Sequence, residues 1–381
     1  MRILITSDWH LGLKQYGFPQ RLRDFADVLP QIAKIAVDHK VDLVVNCGDT
    51  FESPEPDPYS TKCYRDFTHE LCLNRIPYLA LVGNHDLHET SAFTGAHWVD
   101  SASVDTAQLS GSMTPSQIAD LLQEKYPDRK YPRIAAANWM PGDEVKPWLD
   151  AIEPVDLLFM HQSCSAFLPK ISHSELELEW LAGKAKVVGI GDTHVNHILE
   201  LEGTTIISPG PTELNKADEA LEKYVVLVDM GKKGTKTKIT NVPLKTRKAL
   251  VFSVASEHEL AGIRPTILAA IDQDPLVLIS YDRTIARQAQ NFRADLTKQG
   301  ITMLRMTSVS SVSFDQSLGA SREEASADMN EILAEDLKGT GLEQVAQDLW
   351  RNPENLSAIL QSLEGRLRDE QQASRNLVPN S

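Results

Sequence analysis

The sequence predicts an α/β fold with more than one sheet, on three observations. Short apolar runs rich in β-branched residues recur at Arg2–Ser7, Val41–Cys47, Tyr78–Val82, Arg133–Asn138, Asp156–Met160, Lys186–Ile190, Thr204–Ile207 and Tyr224–Val228. Between the early runs the apolar residues keep helical spacing, as in Leu22, Phe25, Val28, Leu29, Ile32, Ile35 and Ala36, so strand and helix alternate at the start of the chain. The later runs follow one another with less helix between them, which calls for a mixed or antiparallel second sheet rather than one doubly wound sheet.

The chain has 381 residues, 42% of them hydrophobic, enough for a sizeable core and for two domains or one domain with appendages. Asp8 interrupts the amino-terminal apolar run too early for a secretory signal. No apolar stretch approaches the roughly 20 residues of a membrane helix. Cys47, Cys63, Cys72 and Cys164 show neither CxxC pairing nor regular spacing, so the expectation is a soluble cytoplasmic protein with reduced thiols and no membrane contact.

A boundary is expected near "MGKKGTKTKITNVPLKTRKA", a polar and basic stretch holding Gly231, Gly234 and Pro243. It separates a first domain, 1–240, from a second, 245–310. The second reads as β-α-β-α-β: Ala249–Ser253, a helix around Pro265–Ile271, Leu276–Ser280, a helix around Thr284–Gln299 and Ile301–Met306. A domain this small leans on its neighbour. Beyond it, Leu342, Val345 and Leu349, then Leu356, Ile359, Leu360, Leu363 and Leu367, have helical spacing broken at Pro353. That segment, 320–370, either packs on the body or docks a partner, and the final residues, 371–381, read as disordered.

The net charge of −15 excludes a protein that coats nucleic acid by bulk attraction. Local charge differs, because residues 245–306 hold nine Lys or Arg against six Asp or Glu. If the protein meets a polyanion, that segment is the candidate surface.

Oxygen and imidazole side chains close five of the apolar runs. "SDWH" supplies Asp8 and His10, "CGDTFE" Asp49, "VGNHD" Asn84, His85 and Asp86, "FMHQ" His161, and "GDTH" Asp192 and His194. An i, i+2 pair leaving a strand directs both side chains one way. Ligands at the carboxyl ends of neighbouring strands converge on one rim, and so many like charges converge only around a cation. A lone Asp-x-His is usually a turn with a surface histidine. Four such pieces in order, each closing a strand, are not explained that way.

In this order the pieces resemble the calcineurin-like metallophosphoesterases, whose pattern runs D-x-H, G-D-x-x, G-N-H-[DE], H, G-H-x-H. Within that superfamily the spacing and the "GNHD" form look like the SbcD family of DNA repair nucleases, bacterial and phage counterparts of the eukaryotic meiotic recombination nuclease. The resemblance implies a two-sheet β-sandwich flanked by helices, a small α/β capping domain and a helical C-terminal tail. It makes Asp49 the carboxylate bridging two divalent metals, with Asp8, His10 and His194 at the first and Asn84 and His161 at the second. His85 resembles the family's catalytic histidine, and Asp86 the residue that orients its imidazole.

Where the family has a histidine this chain has Asp192. An aspartate still ligates, as a hard, charged oxygen, so Asp192 is expected to bind metal; the alternative is a second site that is weak or completed by water. Mixed imidazole, carboxylate and carboxamide donors suit manganese, with magnesium, iron or zinc as alternatives. His197, His88 and His97 read as residues outside the ligand set, and the role of Glu52, where some relatives carry histidine, stays open. The resemblance further implies DNA as substrate, an SbcC-like coiled-coil ATPase engaging the tail, and a homodimer. The rival reading is a phosphatase or phosphodiesterase of small phosphoesters. Its protein-phosphatase branch reads GDxxDRG and GNHE, which "GDTFESP" and "GNHD" match poorly.

Overall fold

The computed structural model describes residues 1–86, 118, 120, 124, 132–164, 166–167, 174–230 and 237–309. The expected docking segment and tail, and His88 and His97, lie outside them. Met1–Tyr281 and Ile285–Thr307 form one compact unit.

Alternation along the strands sets the layers. In β1 (Arg2–Thr6), Ile3 and Ile5 face one way and Leu4 the other, and the neighbouring β2 (Leu43–Asn46) and β3 (Tyr78–Ala80) repeat the pattern in parallel register. The first set packs with Leu157 and Phe159 of β5 (Leu157–His161), Val187 of β6 (Val187–Gly191) and Ile207 of β8 (Thr204–Ser208), closing a sandwich. The second set packs under α1 (Pro19–Asp38) and α2 (Pro58–Leu73), through Phe25, Val28, Leu29, Tyr64 and Phe67. Buried on both faces, these strands carry no polar alternation, as parallel strands between two layers should. Local signals start the second helix: Pro58 opens it, and Asp57 Oδ1 accepts the amides of Tyr59 and Ser60 at 2.9 and 3.1 Å.

The second sheet has the order β4-β5-β6-β8-β7, with β4 at Ile134–Ala137 and β7 at His197–Leu201. Four strands are parallel and the edge strand β7 is antiparallel, a mixed sheet as its sparse helices require. Helix α3 (Gly142–Ala151) covers its outer face through Val145 and Leu149. The chain then returns to the first sheet as β9 (Tyr224–Asp229) and β10 (Lys238–Pro243), both antiparallel. The stretch read as a boundary therefore contains an edge strand. Its exposed positions, such as Lys238 and Thr240, hid it from a search for apolar runs.

The small sheet, β11 (Ala249–Val254), β12 (Leu276–Asp282) and β13 (Met303–Val309), carries α4 (Glu257–Ala269) and α5 (Ala286–Lys298). Helix α4 begins earlier than expected and takes Pro265 into its interior. A capping box starts it: Ser256 Oγ accepts the Glu259 amide at 3.3 Å, and Glu259 Oε2 accepts the Ala255 amide at 2.7 Å. One face of the sheet packs under the helices; on the other, Ala249, Leu276, Leu278 and Met303 meet Leu214, Tyr16 and Phe18 of the body. No described helix is long and apolar enough to cross a membrane, and the four cysteines are free thiols.

Candidate metal centre

The residues expected at one rim are brought to one rim. Asp8 and His10 follow β1, Asp49 follows β2, Asn84 and His85 follow β3, His161 ends β5, and Asp192 and His194 follow β6. The turns that present them are tight. Asp8, His10, Asp49, Asp192 and His194 all have positive φ, between 45° and 71°. The D-x-H pair thus points inward because both residues are left-handed, not because strand alternation carries on past Thr6. Non-glycine residues held there store strain that surrounding structure must offset, a feature concentrated at functional sites.

Backbone bonds lace the first two turns together. The amides of Asp8, His10 and Leu11 donate to the carbonyls of Gly48, Asp49 and Thr50 at 3.0, 3.1 and 3.0 Å, and that of Glu52 returns to Leu11 at 3.0 Å. Glycine permits the closest approaches. A Cβ on Gly48, whose φ is +104°, would lie 2.1 Å from His161 Nδ1, and one on Gly83 would lie 2.1 Å from Asp49 Oδ1.

Three imidazoles turn Nε2 toward the carboxylates. His161 Nε2 lies 3.4 Å from Asp49 Oδ1, 3.1 Å from Asn84 Oδ1 and 4.0 Å from Asp192 Oδ1. His10 Nε2 lies 3.7 Å from Asp49 Oδ2, and His194 Nε2 lies 3.9 Å from Asp8 Oδ1. The Nε2 atoms of His10 and His194 are only 3.2 Å apart. Each Nδ1 is held from behind: His10 by Glu52 Oε2 at 2.9 Å, His194 by Glu219 Oε1 at 2.9 Å, His161 by the Cys47 carbonyl at 2.6 Å. Rings fixed this way, with the free nitrogen aimed at a common point, are oriented as metal ligands are.

Electrostatics agree with that reading. Asp8 and Asp49 are buried, and among the described residues no Lys or Arg pairs with them or with Asp192; their only ionic neighbours are the histidines. Burial alone would lower the His161 pKa, but Asp49, Asp8 and Asp192 together raise it to about 10. His10 is likewise raised, against burial, by Glu52, Asp49 and Asp8. Asp192 is pushed up by burial and by Asp8 and Asp49, with His161 opposing. Asp49 Oδ2 is buried with no hydrogen-bond partner. An orphaned carboxylate oxygen beside converging imidazoles fits divalent cations, and geometry groups Asp8, His10 and His194, and Asp8, Asp49 and His161, as sets able to hold one.

Residues 1–188 match the family described as calcineurin-like phosphoesterase. They form a calcineurin-like phosphoesterase domain. Along a longer stretch the chain is 26% identical over 294 residues to the DNA double-strand break repair protein Mre11 of Methanosarcina mazei, covering 74% of this chain and 45% of that protein. With the protein of the same name from Haloferax volcanii it shares 24% identity over 359 residues, or 91% of this chain and 76% of that one. With a subunit of the nuclease SbcCD of Bacillus subtilis it shares 36% over 87 residues, 23% and 22% of the two chains. The chain thus spans less than half the length of its Methanosarcina relative.

Not every expected residue of the phosphoesterase domain takes its expected place. Asp86 does not orient His85. Its carboxylate is buried and accepts the amides of Gly83, Phe51 and Thr50 at 2.9, 2.9 and 3.2 Å, tying the turn after β3 to the turn after β2. Burial and the nearby Asp49 raise its pKa to about 6, against the three amides. The His85 ring instead faces Glu52, with Nδ1 3.4 Å from the Glu52 carbonyl and 3.8 Å from Oε2. His197 stands exposed at the start of β7, away from the ligand set, its ring edge-on to Phe167.

Two supporting groups escaped the sequence. Glu219 is held by Lys223 Nζ at 2.7 Å and the Asn215 amide at 3.0 Å, and nothing in "PTELNKADEALEKY" marks it among four acidic residues. The Cys47 carbonyl has no side-chain signature at all.

Proposed function

We propose that the chain is a metal-dependent DNA nuclease subunit that hydrolyses phosphodiester bonds, as an exonuclease and also as an endonuclease on hairpins or single strands. The observation that carries the chemistry is the convergence of three back-anchored imidazoles on carboxylates that no Lys or Arg of the described residues neutralises. The names of the relatives support DNA as the substrate. The residues fit the division implied by resemblance: Asp8, His10 and His194 around one ion, Asn84, His161 and Asp192 around another, and Asp49 between them. Such a pair, with manganese the best match to these donors, would activate water and neutralise charge on the phosphate.

The chain's own residues do the rest. His85 is partly exposed beside this centre, and its backbone N–H donates to Asp49 Oδ1 at 3.0 Å, so the ring is tied to the bridging carboxylate's position. With Nδ1 turned toward Glu52, Nε2 is the nitrogen left to hydrogen-bond the phosphate or protonate the leaving sugar oxygen. The basic segment at 245–306 would receive the phosphate backbone, offsetting the acidic body. In this reading an SbcC-like ATPase engages residues 320–370 and two copies form a dimer.

Purified protein with manganese is expected to degrade a labelled duplex from its ends, and His85→Ala to abolish cleavage while both ions still bind. Hydrolysis of small phosphoesters with intact DNA would instead favour the small-substrate phosphodiesterase.

A further inference from the structure

The open position of the sequence, Glu52, stands between two functional rings. Its Oε2 is 2.9 Å from His10 Nδ1 and 3.8 Å from His85 Nδ1, and its carbonyl is 3.4 Å from the latter. The two rings meet edge to face with centroids 4.9 Å apart. Glu52 is placed by main chain rather than chance: its amide bonds the Leu11 carbonyl, while the preceding Thr50 and Phe51 amides are clamped by buried Asp86. Among the described residues, the Glu52 side chain is the one hydrogen-bond partner of His10 Nδ1, and the Glu52 backbone carbonyl that of His85 Nδ1.

We propose that Glu52 is a positioning residue for His10, its side-chain carboxylate holding Nδ1 of that ring so that Nε2 faces the candidate metal centre. For His10 the physical reason is tautomer choice: a ring that donates from Nδ1 to a carboxylate leaves Nε2 as a lone pair for an ion. For His85 the contact is the Glu52 backbone carbonyl, which a side-chain substitution leaves in place. The proposal rests on the nuclease reading only for the substrate of one assay. It also competes with a concrete alternative. His10, Glu52 and His85 offer ligand atoms within 4.8 Å of one another and would themselves suit a third ion.

The test uses the full chain, stripped of metal, as wild type, Glu52→Ala and Glu52→Gln, each checked for unchanged thermal unfolding. Titration with manganese should show Glu52→Ala weakening the first ion by about 10–100-fold, as loss of such partners does elsewhere. Glu52→Gln, which keeps an acceptor oxygen, should recover most of it. In the metal-free protein, at a pH high enough for a neutral His10 ring, ¹⁵N-histidine NMR should find the proton on Nδ1 in wild type and lose that preference in Glu52→Ala. With bis(p-nitrophenyl) phosphate and with duplex DNA, kcat should fall and KM stay constant. Three ions in wild type and two in Glu52→Ala would overturn the proposal in favour of a metal site. Wild-type affinity with an unchanged His10 tautomer would overturn it outright, as would a changed KM at constant kcat. Inactivity of the wild type on DNA alone would overturn the substrate reading, and the metal, NMR and small-diester measurements would still judge Glu52.

Discussion

Two ionic clusters in this protein both bury carboxylates and neutralise them differently. Where α1 meets the segment leading into the small sheet, Arg21 gives Nη1 to Asp24 at 2.8 Å and Nη2 to Glu213 at 3.1 Å; Arg247 takes Asp24 through Nε and Nη2 at 2.5 and 2.6 Å and Asp274 at 3.0 Å. Arg21 and Glu213 are almost fully buried, yet each charge has its counter-charge in the chain. At the rim, the only ion-pair partners of Asp8, Asp49 and Asp192 among the described residues are imidazoles. Imidazole is a conditional cation, and as a neutral ring it is a ligand. The first cluster is therefore closed and structural, while the second is complete only when cations come from solution.

Three measurements would break or sharpen this contrast. Removing a guanidinium from the closed cluster should do the most to stability, because it strands buried carboxylates: Arg21→Ala is expected to cost about 3–5 kcal/mol in urea unfolding. A loss below about 1 kcal/mol would mean that Arg247 and water neutralise Asp24 and Glu213 without it.

At the open cluster the effect should appear in metal content. Asp192→Ala should reduce bound manganese from two ions per chain to about one, by elemental analysis after dialysis, with stability little changed. Unchanged occupancy would leave the second ion to Asn84, His161 and Asp49, and make Asp192 a bystander.

The smallest signal is protonic. Both His161, at about 10, and His10 sit above the ordinary histidine value in the metal-free protein, and at neutral pH the His161 ring holds a proton that an incoming ion must displace. Affinity for manganese should therefore rise with pH and level off only above about 10, and calorimetry at pH 7 in buffers of different ionisation enthalpy should detect the released protons. An affinity independent of pH between about 6 and 8 would show that these imidazoles are not the groups exchanging a proton for the ion.

Much of the site was legible because its residues sit where local sequence makes them conspicuous. Asp49, Asn84 and Asp192 each follow an apolar run and a glycine, and His161 ends such a run directly, so chemistry and strand end coincide in the sequence. The α/β alternation was legible for the same reason, since strands buried on both faces are unbroken apolar runs. Edge strands β7 and β10 were not. Half-exposed and partly polar, they are defined by the neighbour they pair with, as β7 is by β8 and β10 by β9. Helix α4 could have been bounded from its Ser256 and Glu259 box, but Pro265 drew the expected start too far along.

The sequence by itself determined which residues can bind a cation and that strand ends would carry them, because residue type and hydrophobic period are local properties. Only the tertiary structure decided which group stands behind each ring: Glu52 at His10, Glu219 at His194, the Cys47 carbonyl at His161, and backbone amides rather than an imidazole at Asp86. Those pairings join residues from 25 to 114 positions apart, and a hydrogen bond depends on ångström distances in space that no spacing along the chain encodes.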